Sequence, residues 1–452
     1  MVFLLLSISD PLVRGTIFCY GKTMSINIVA IIILAALAVD KILHAAADVM
    51  NLRHGGTGVP EAFKEHYDAE RYRKSVLYTH ANTRFSWIAG AFGTAVFLGF
   101  WFAGGFAVVD GWVRQTADSE VVRGLLFIGA LVFARGVVSL PFSVYKTFRI
   151  ESEFGFNRTT PAVFAADTLK TLLLGIVIGG IVLSAILAFF VHAGDAAWLY
   201  CWIAAVLFMA AMQFIVPSWI MPLFNRFEPL EPGSLRDAIF AYAEKIDFPV
   251  QNIYVMDGSK RSGKSNAFFA GFGKSRKIVL YDTLVENHTT DELVAVLAHE
   301  MGHFRKKHVQ WMLLASILQA GILFYLLSVF ITSPLLAEAF FLDSVSVYAG
   351  LVFFAILYSP VDMVMDFLMQ AVSRKNEYAA DRFAVETTDN PDAMKRVLKK
   401  LAANNLAALR PHPFYVVLNY SHPPVADRIA AIDKMAVNVL SPKERTATAG
   451  IP

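Results

Sequence analysis

The chain has 452 residues, 56% of them hydrophobic and 13% aromatic, with only 17% charged and a mean hydropathy of +0.51. Ordinary soluble domains carry roughly 25% charged residues, so the composition points to an integral membrane protein. A formal net charge of +3 with no basic stripe gives no ground for a nucleic-acid partner. Two cysteines, Cys19 and Cys201, offer neither a disulfide framework nor a cysteine metal site.

In chain order, residues 1–23 form an N-terminal extension. No positive residue precedes its apolar Val2–Leu6 run, so it does not read as a signal peptide, and Met24 offers a second possible start. Residues 24–221 hold five apolar runs near 26–48, 86–109, 124–145, 169–192 and 197–221, each close to the ~20 residues a helix needs to span a bilayer. Asp40 and Lys41 interrupt the first and Arg135 the third. Residues 222–308 open on the Pro- and Glu-punctuated Phe227–Gly233 stretch. A helix near 235–246 follows, then strands at Asn252–Met256 and Ile278–Tyr281, with an irregular strand over Asn266–Gly273 between them. Two further spans near 309–332 and 347–370 bring the count to seven, and residues 371–452 form a helical tail. Asp362 and Asp366, one helical turn apart in the last span, argue for a wet interior, since intramembrane charges are costly unless they face a cavity or one another.

The chemistry is concentrated in His299-Glu300-Met301-Gly302-His303. A helix repeats every 3.6 residues, so histidines at i and i+4 share a face and can bind one Zn²⁺. Glu300 then lies where a general base for water is needed, and Gly302 lets another element approach. A metzincin continuation fails, because the required Gly and His positions hold Lys306 and Val309. A better third ligand lies in Asn376-Glu377-Tyr378-Ala379-Ala380-Asp381. Glu377 and Asp381, four apart on a helix, suit a zinc ligand and a carboxylate that orients a ligand histidine through its other ring nitrogen. Two histidines and a glutamate leave the fourth position open, as catalytic zinc requires. The remaining histidines, including His308, read as surface or packed residues.

Positive residues set the orientation. The 49–84 and 146–168 loops, the 222–308 segment and the tail are rich in Lys and Arg, whereas 193–196 and 334–346 have none. All motif-bearing segments therefore fall on the cytoplasmic side, with the N-terminus outside.

The ordered motifs resemble those of the type I CAAX prenyl endopeptidases. They are Ile253–Ser262, Ser265–Phe269, Ile278–Leu284, His299–His303, Asn376–Asp381 and Ser421–Ile429, with Phe154–Arg158 and Pro222–Asn225 upstream. The match covers nearly the whole chain after residue 24. Lys264 departs from it, standing where some relatives carry histidine, which bears on a local contact only.

The resemblance implies a mostly α, integral-membrane fold: seven transmembrane helices forming a barrel around a hydrated chamber, capped by a gluzincin-like α+β zinc protease domain. It implies one Zn²⁺ on His299, His303 and Glu377, with Glu300 as base. By the same match Asn266 would lie on the strand that pairs with the substrate backbone. His422 and Arg428 would stabilise the oxyanion or bind substrate. The expected activity is cleavage of a peptide or protein after a prenylated cysteine. An HtpX-type quality-control protease acting on unprenylated proteins is the alternative, against which the seven runs and the chain length weigh. A seven-span receptor or transporter with a structural metal predicts no base at Glu300 and no paired acid, and an intact motif argues against a catalytically silent chamber. Thr448–Pro452 lacks an endoplasmic-reticulum retrieval tail, which favours a bacterial plasma membrane over the endoplasmic reticulum.

Overall fold

The computed structural model describes residues 15–19, 22–55, 58–250, 252–270 and 277–448. The rest of the 1–23 extension and the 271–273 end of the expected irregular strand lie outside them. A hairpin of β1 (Gly15–Cys19) and β2 (Lys22–Ile26) leads into the first long helix.

Among the described residues seven helices are long and apolar enough to cross a membrane. The first five are α1 (Ile28–His54), α2 (Ala69–Phe102), α4 (Glu120–Glu151), α5 (Pro161–His192) and α6 (Gly194–Phe224), with the short α3 (Gly105–Thr116) after α2. Their starts are chemically marked. Asn27 and Asp68 side chains accept from the backbone N–H of Ala30 and Arg71, and Thr160 caps α5 ahead of Pro161. The second span differs most from its expected 86–109 range. It starts at Ala69, because a polar amphipathic stretch continues the apolar helix beyond the bilayer. It stops at Phe102, because Gly104 takes φ 74 and redirects the chain into α3.

Next come β3 (Phe227–Pro229), α7 (Ser234–Lys245), β4 (Asn252–Met256), β5 (Ala267–Ala270) and β6 (Lys277–Tyr281). The sheet order is β3-β4-β6-β5, with β4 and β6 parallel and the other pairs antiparallel, so β5 lies at one edge. Helix α8 (Thr290–Arg305) packs Leu293, Leu297 and Met301 against Ile278, Leu280 and Ala267 of this sheet. The last two spans are α9 (His308–Phe330) and α10 (Val347–Thr388). Helix α10 runs unbroken for 42 residues, so the expected boundary at 370/371 falls inside one helix that carries the seventh span into the metal motif. The chain closes with α11 (Pro391–Asn404), α12 (Pro413–Asn419) and α13 (Val425–Thr448).

The seven long helices form a closed ring, each touching the next in the order α1, α2, α4, α5, α6, α9, α10 and back to α1. Exposed apolar residues such as Ile42, Phe133, Ile176, Leu207, Trp311 and Leu368 lie along them, as a membrane setting requires. One end is plugged by Trp101, Phe106, Phe340 and Phe353, with Trp101 stacked on Phe340 and Phe340 stacked on Phe353 at 4.7 and 4.0 Å between ring centroids. Between α1, α2 and the segments flanking α12 lies a cavity of about 1050 Å³ that carries both polar side chains, including Lys41, Asp48 and Asn82, and aromatic ones.

Candidate metal centre

The start of α8 is fixed first. Thr289 and Glu292 form a reciprocal cap, and the buried Glu292 carboxylate also accepts from Lys400 Nζ of α11 at 2.8 Å. One helical turn from the end of α8, Gly302 faces α10. A Cβ there would come within 3.1 Å of Ala380 Cα and 3.2 Å of Ala380 O. The glycine therefore permits the close helix contact that carries Glu377 and Asp381 of α10 to the two histidines.

The side chains then converge. His299 Nε2 is 3.1 Å from His303 Nε2 and 3.5 Å from Glu377 Oε2, and His303 Nε2 is 3.2 Å from Glu377 Oε1. His299 Nδ1 pairs with Asp381 Oδ1 at 2.8 Å. Arg428, near the start of α13, donates to Asp381 from Nε at 2.8 Å and from Nη2 at 2.6 Å, and its Nη1 is 3.4 Å from Glu377 Oε2. Asp381, Glu377, His299 and Arg428 are all buried. On the open side His422 Nε2 is 3.4 Å from Glu377 Oε1, and its Nδ1 pairs with Ser421 Oγ at 2.8 Å.

These residues fit a zinc ion. Ligand atoms about 2.1 Å from a tetrahedral centre are about 3.4 Å apart; here the two ring nitrogens are 3.1 Å apart, and each lies 3.2 to 3.5 Å from one of the two Glu377 oxygens. His299 Nδ1 is taken by Asp381, which leaves Nε2 as the ring atom that faces His303 Nε2 and Glu377. Glu377 Oε2 is buried without a hydrogen-bond partner, a costly condition that a metal would relieve. Among the described residues this is the one group of three His, Cys, Asp or Glu side chains so placed.

Electrostatics follow the packing. Burial lowers the basicity of His299, but its hydrogen bonds to Asp381 and Glu377 outweigh that and raise its pKa to about 9. Burial raises the Glu300 carboxyl above its ordinary value, against the pull of His299 and His303. The surroundings of the His422 ring, desolvation first, push its pKa below the ordinary value.

Seven of the eight expected site residues, His299, Glu300, His303, Glu377, Asp381, His422 and Arg428, meet in one cluster. Arg428 was expected at the substrate or oxyanion, yet its guanidinium is committed to Asp381. Asn266 stands apart, exposed, just before edge strand β5, its carbonyl accepting from Tyr281 N at 3.0 Å. Lys264, two residues earlier, reaches Tyr78 Oη at 2.8 Å and lies over the Phe156 ring. With the Arg261–Asp167 pair it ties the approach to β5 onto the membrane helices. His308, read as a packed histidine, instead places Nδ1 3.1 Å from His303 Nδ1. Helical spacing could not reveal this contact, because α8 ends between the two residues.

Comparison with known proteins adds the following. A model described as the CAAX prenyl protease N-terminal region, with five membrane helices, matches residues 48–226, and the model of peptidase family M48 matches residues 229–436. The chain is 35% identical over 391 residues to the probable CAAX prenyl protease 1 of Schizosaccharomyces pombe, covering 83% of this chain and 82% of that one. It is 30% identical over 429 residues to the human CAAX prenyl protease 1 homolog, covering 84% and 89%. The crystal structure of Ste24p from S. mikatae superposes with a TM-score of 0.83 at 32% identity, covering 90% of this chain and 98% of that one.

Proposed function

The chain belongs to the CAAX prenyl protease group of peptidase family M48 and is a multi-pass membrane metalloendopeptidase, and we propose that it hydrolyses the peptide bond after a prenylated cysteine, using one zinc ion held by His299, His303 and Glu377. The observation that carries the ligand set is the convergence of His299, His303 and buried Glu377, which bring one ligand atom each within 4.8 Å of one another. Zinc in such a site supplies Lewis acidity, which makes water nucleophilic near neutral pH and polarises a carbonyl.

The chain's own residues do the rest. Glu300 accepts the proton of the attacking water and returns it to the leaving amine. Its raised pKa suits both steps. His422, oriented through Nδ1 by Ser421, donates from Nε2 toward the carbonyl oxygen as it gains negative charge. Asp381 holds the Nδ1 proton of His299, and Arg428 holds Asp381, so Arg428 acts through the aspartate and not on substrate. Substrate adds as a strand along β5, entered from Asn266, so recognition is mainly through main chain. The catalytic unit is assembled from residues 222–308 and 371–452 around membrane helices 24–221 and 309–370. The bias of Lys and Arg toward these segments supports a cytoplasmic site.

The test uses the full chain purified in detergent. Metal content is measured, and farnesylated C-a-a-X and unprenylated peptides are offered with mass-spectrometric detection, Glu300→Gln serving as the blank. Expected are about one zinc per chain, chelator-sensitive cleavage after the farnesylated cysteine, and slower cleavage of some unprenylated peptides. Zinc-replete protein that cuts only unprenylated peptides would remove the prenyl assignment and leave the metalloprotease. Cysteine labelling in intact cells should reach Gly194→Cys and Leu342→Cys from the outer face and should not reach Ser441→Cys, and the opposite pattern would invert the topology.

A further inference from the structure

Each ligand histidine of a metal site works through one ring nitrogen and needs an acceptor for the proton on the other. For His299 that acceptor is Asp381 Oδ1 at 2.8 Å. Among the described residues no carboxylate pairs with His303 Nδ1. Its Nδ1 instead faces His308 Nδ1 at 3.1 Å, with the two rings edge to face at 75° and 5.1 Å between centroids.

The chain puts some effort into this placement. Helix α8 ends at Arg305, and Lys306 N bonds back to Gly302 O at 3.0 Å. Lys307 then takes φ 59, a left-handed conformation uncommon for a lysine, and caps α9. The turn returns His308 beneath His303 as the first residue of the membrane-spanning α9, where it is buried. A two-residue turn leaves little play between the metal-bearing helix and the helix that presents the acceptor.

We propose that His308 is a positioning residue of the metal centre: its Nδ1 accepts the Nδ1 proton of His303 and fixes the tautomer whose Nε2 faces His299 and Glu377. This rests on the zinc reading above. It makes the two supports chemically unequal, since one histidine leans on an anionic carboxylate and the other on a neutral imidazole. The neutral partner restrains the ring while adding no further negative charge to a pocket that already holds Glu377, Asp381 and Glu300. It also makes the start of a transmembrane helix part of the metal site, so the seating of α9 and the orientation of His303 are linked.

The test compares His308→Asn, His308→Gln and His308→Ala with the unaltered full chain in detergent. An asparagine side chain sets its amide near the position of Nδ1, a glutamine nearer that of Nε2. Zinc affinity is read by competition with a chromophoric chelator, geometry by the visible spectrum of the cobalt-substituted protein, and fold by thermal unfolding of the metal-free form. His308→Ala and His308→Gln should bind zinc about 10–100-fold more weakly and shift the cobalt bands, while His308→Asn stays within about threefold with the original spectrum. The proposal is overturned if His308→Ala keeps affinity and spectrum, or if His308→Asn is as weak as His308→Ala while its metal-free form unfolds as the unaltered chain does. An unaltered chain that binds no zinc would overturn the zinc reading itself, and this inference with it.

Discussion

Two aspartate–arginine pairs with buried carboxylates sit at opposite ends of the helix barrel, and they are put to different uses. At the plugged end, Asp110 accepts from Arg114 Nε at 2.7 Å and from Tyr348 Oη at 2.6 Å, while the Tyr348 ring packs on Phe127. At the other end, Asp381 accepts from Arg428 and pairs with a ring nitrogen of His299. The first aspartate ends on the Tyr348 hydroxyl, and that contact locks α3 to α10. The second ends on an imidazole whose far nitrogen opens onto Glu377 and His303. Burial and pairing alone do not distinguish a structural ion pair from a functional one. What distinguishes them is whether the chain of hydrogen bonds finishes on a group whose far atom faces other metal-ligating side chains, as His299 Nε2 faces Glu377 and His303.

The sharpest break of this comparison lies beside that open group. Glu300→Gln keeps size and shape but cannot take a proton. It should retain about one zinc per chain and lose about 10²–10⁴-fold in turnover, measured on the farnesylated peptide with metal content in parallel. A variant with normal rate would remove Glu300 as the base.

Next in size are the groups of the chain itself. Glu377→Ala should lose zinc outright, whereas Asp381→Asn should weaken zinc affinity by about 10–100-fold, since the amide still supports His299 without its charge. Chelator competition separates the two. If Asp381 proved indispensable for zinc and Glu377 dispensable, the ligand assignment would be reversed.

A smaller effect is expected from pH. Burial depresses the basicity of His299, but Asp381 and Glu377 overcome it and hold its pKa near about 9, above the ordinary 6.5. Below that value the metal-free site carries a proton that zinc must displace, so apparent zinc affinity should rise about tenfold per pH unit toward pH 9 and level off beyond. The metal-free fold responds in the opposite sense. A raised histidine pKa stabilises it fully below 6.5, and that contribution fades as pH rises from 6.5 through 9. Zinc titrations at several pH values test the first trend, and thermal unfolding of the chelated protein tests the second. A flat zinc affinity would mean that His299 is already neutral in the metal-free site.

Much of this was legible in the sequence because it lies in short periodic patterns. The i,i+4 spacing of His299 and His303, and of Glu377 and Asp381, is itself helix geometry, and the apolar runs located all seven spans. Span ends were less legible. Apolar content does not record that Gly104 takes a left-handed turn, or that polar residues continue α2 and α10 outside the bilayer as the same helices. Arg428 and His308 were the least legible. Each acts across a break in periodicity, Arg428 from a separate helix and His308 across the Lys306–Lys307 turn, and neither residue type declares its partner. Gly302 is intermediate: the sequence suggested a close approach, and the structure identifies the backbone of Ala380 as what approaches.

The smallest expected effect completes the comparison at the plugged end. Tyr348→Phe removes only the hydroxyl that donates to Asp110 Oδ1, leaving a buried carboxylate oxygen with one donor fewer. That should cost about 1–3 kcal/mol of stability, seen as a lower unfolding temperature in detergent. Zinc affinity and the pH trend should not change, because Tyr348 and Glu377 lie toward opposite ends of α10. Tyr348 is also packed against Gly124, where an added Cβ would fall within 2.8 Å of its own Cβ, so the ring stays wedged when the hydroxyl is gone. If Tyr348→Phe instead weakened zinc binding as much as Asp381→Asn does, the two ends of the barrel would be coupled through α10, and the division into a locking pair and an orienting pair would fail.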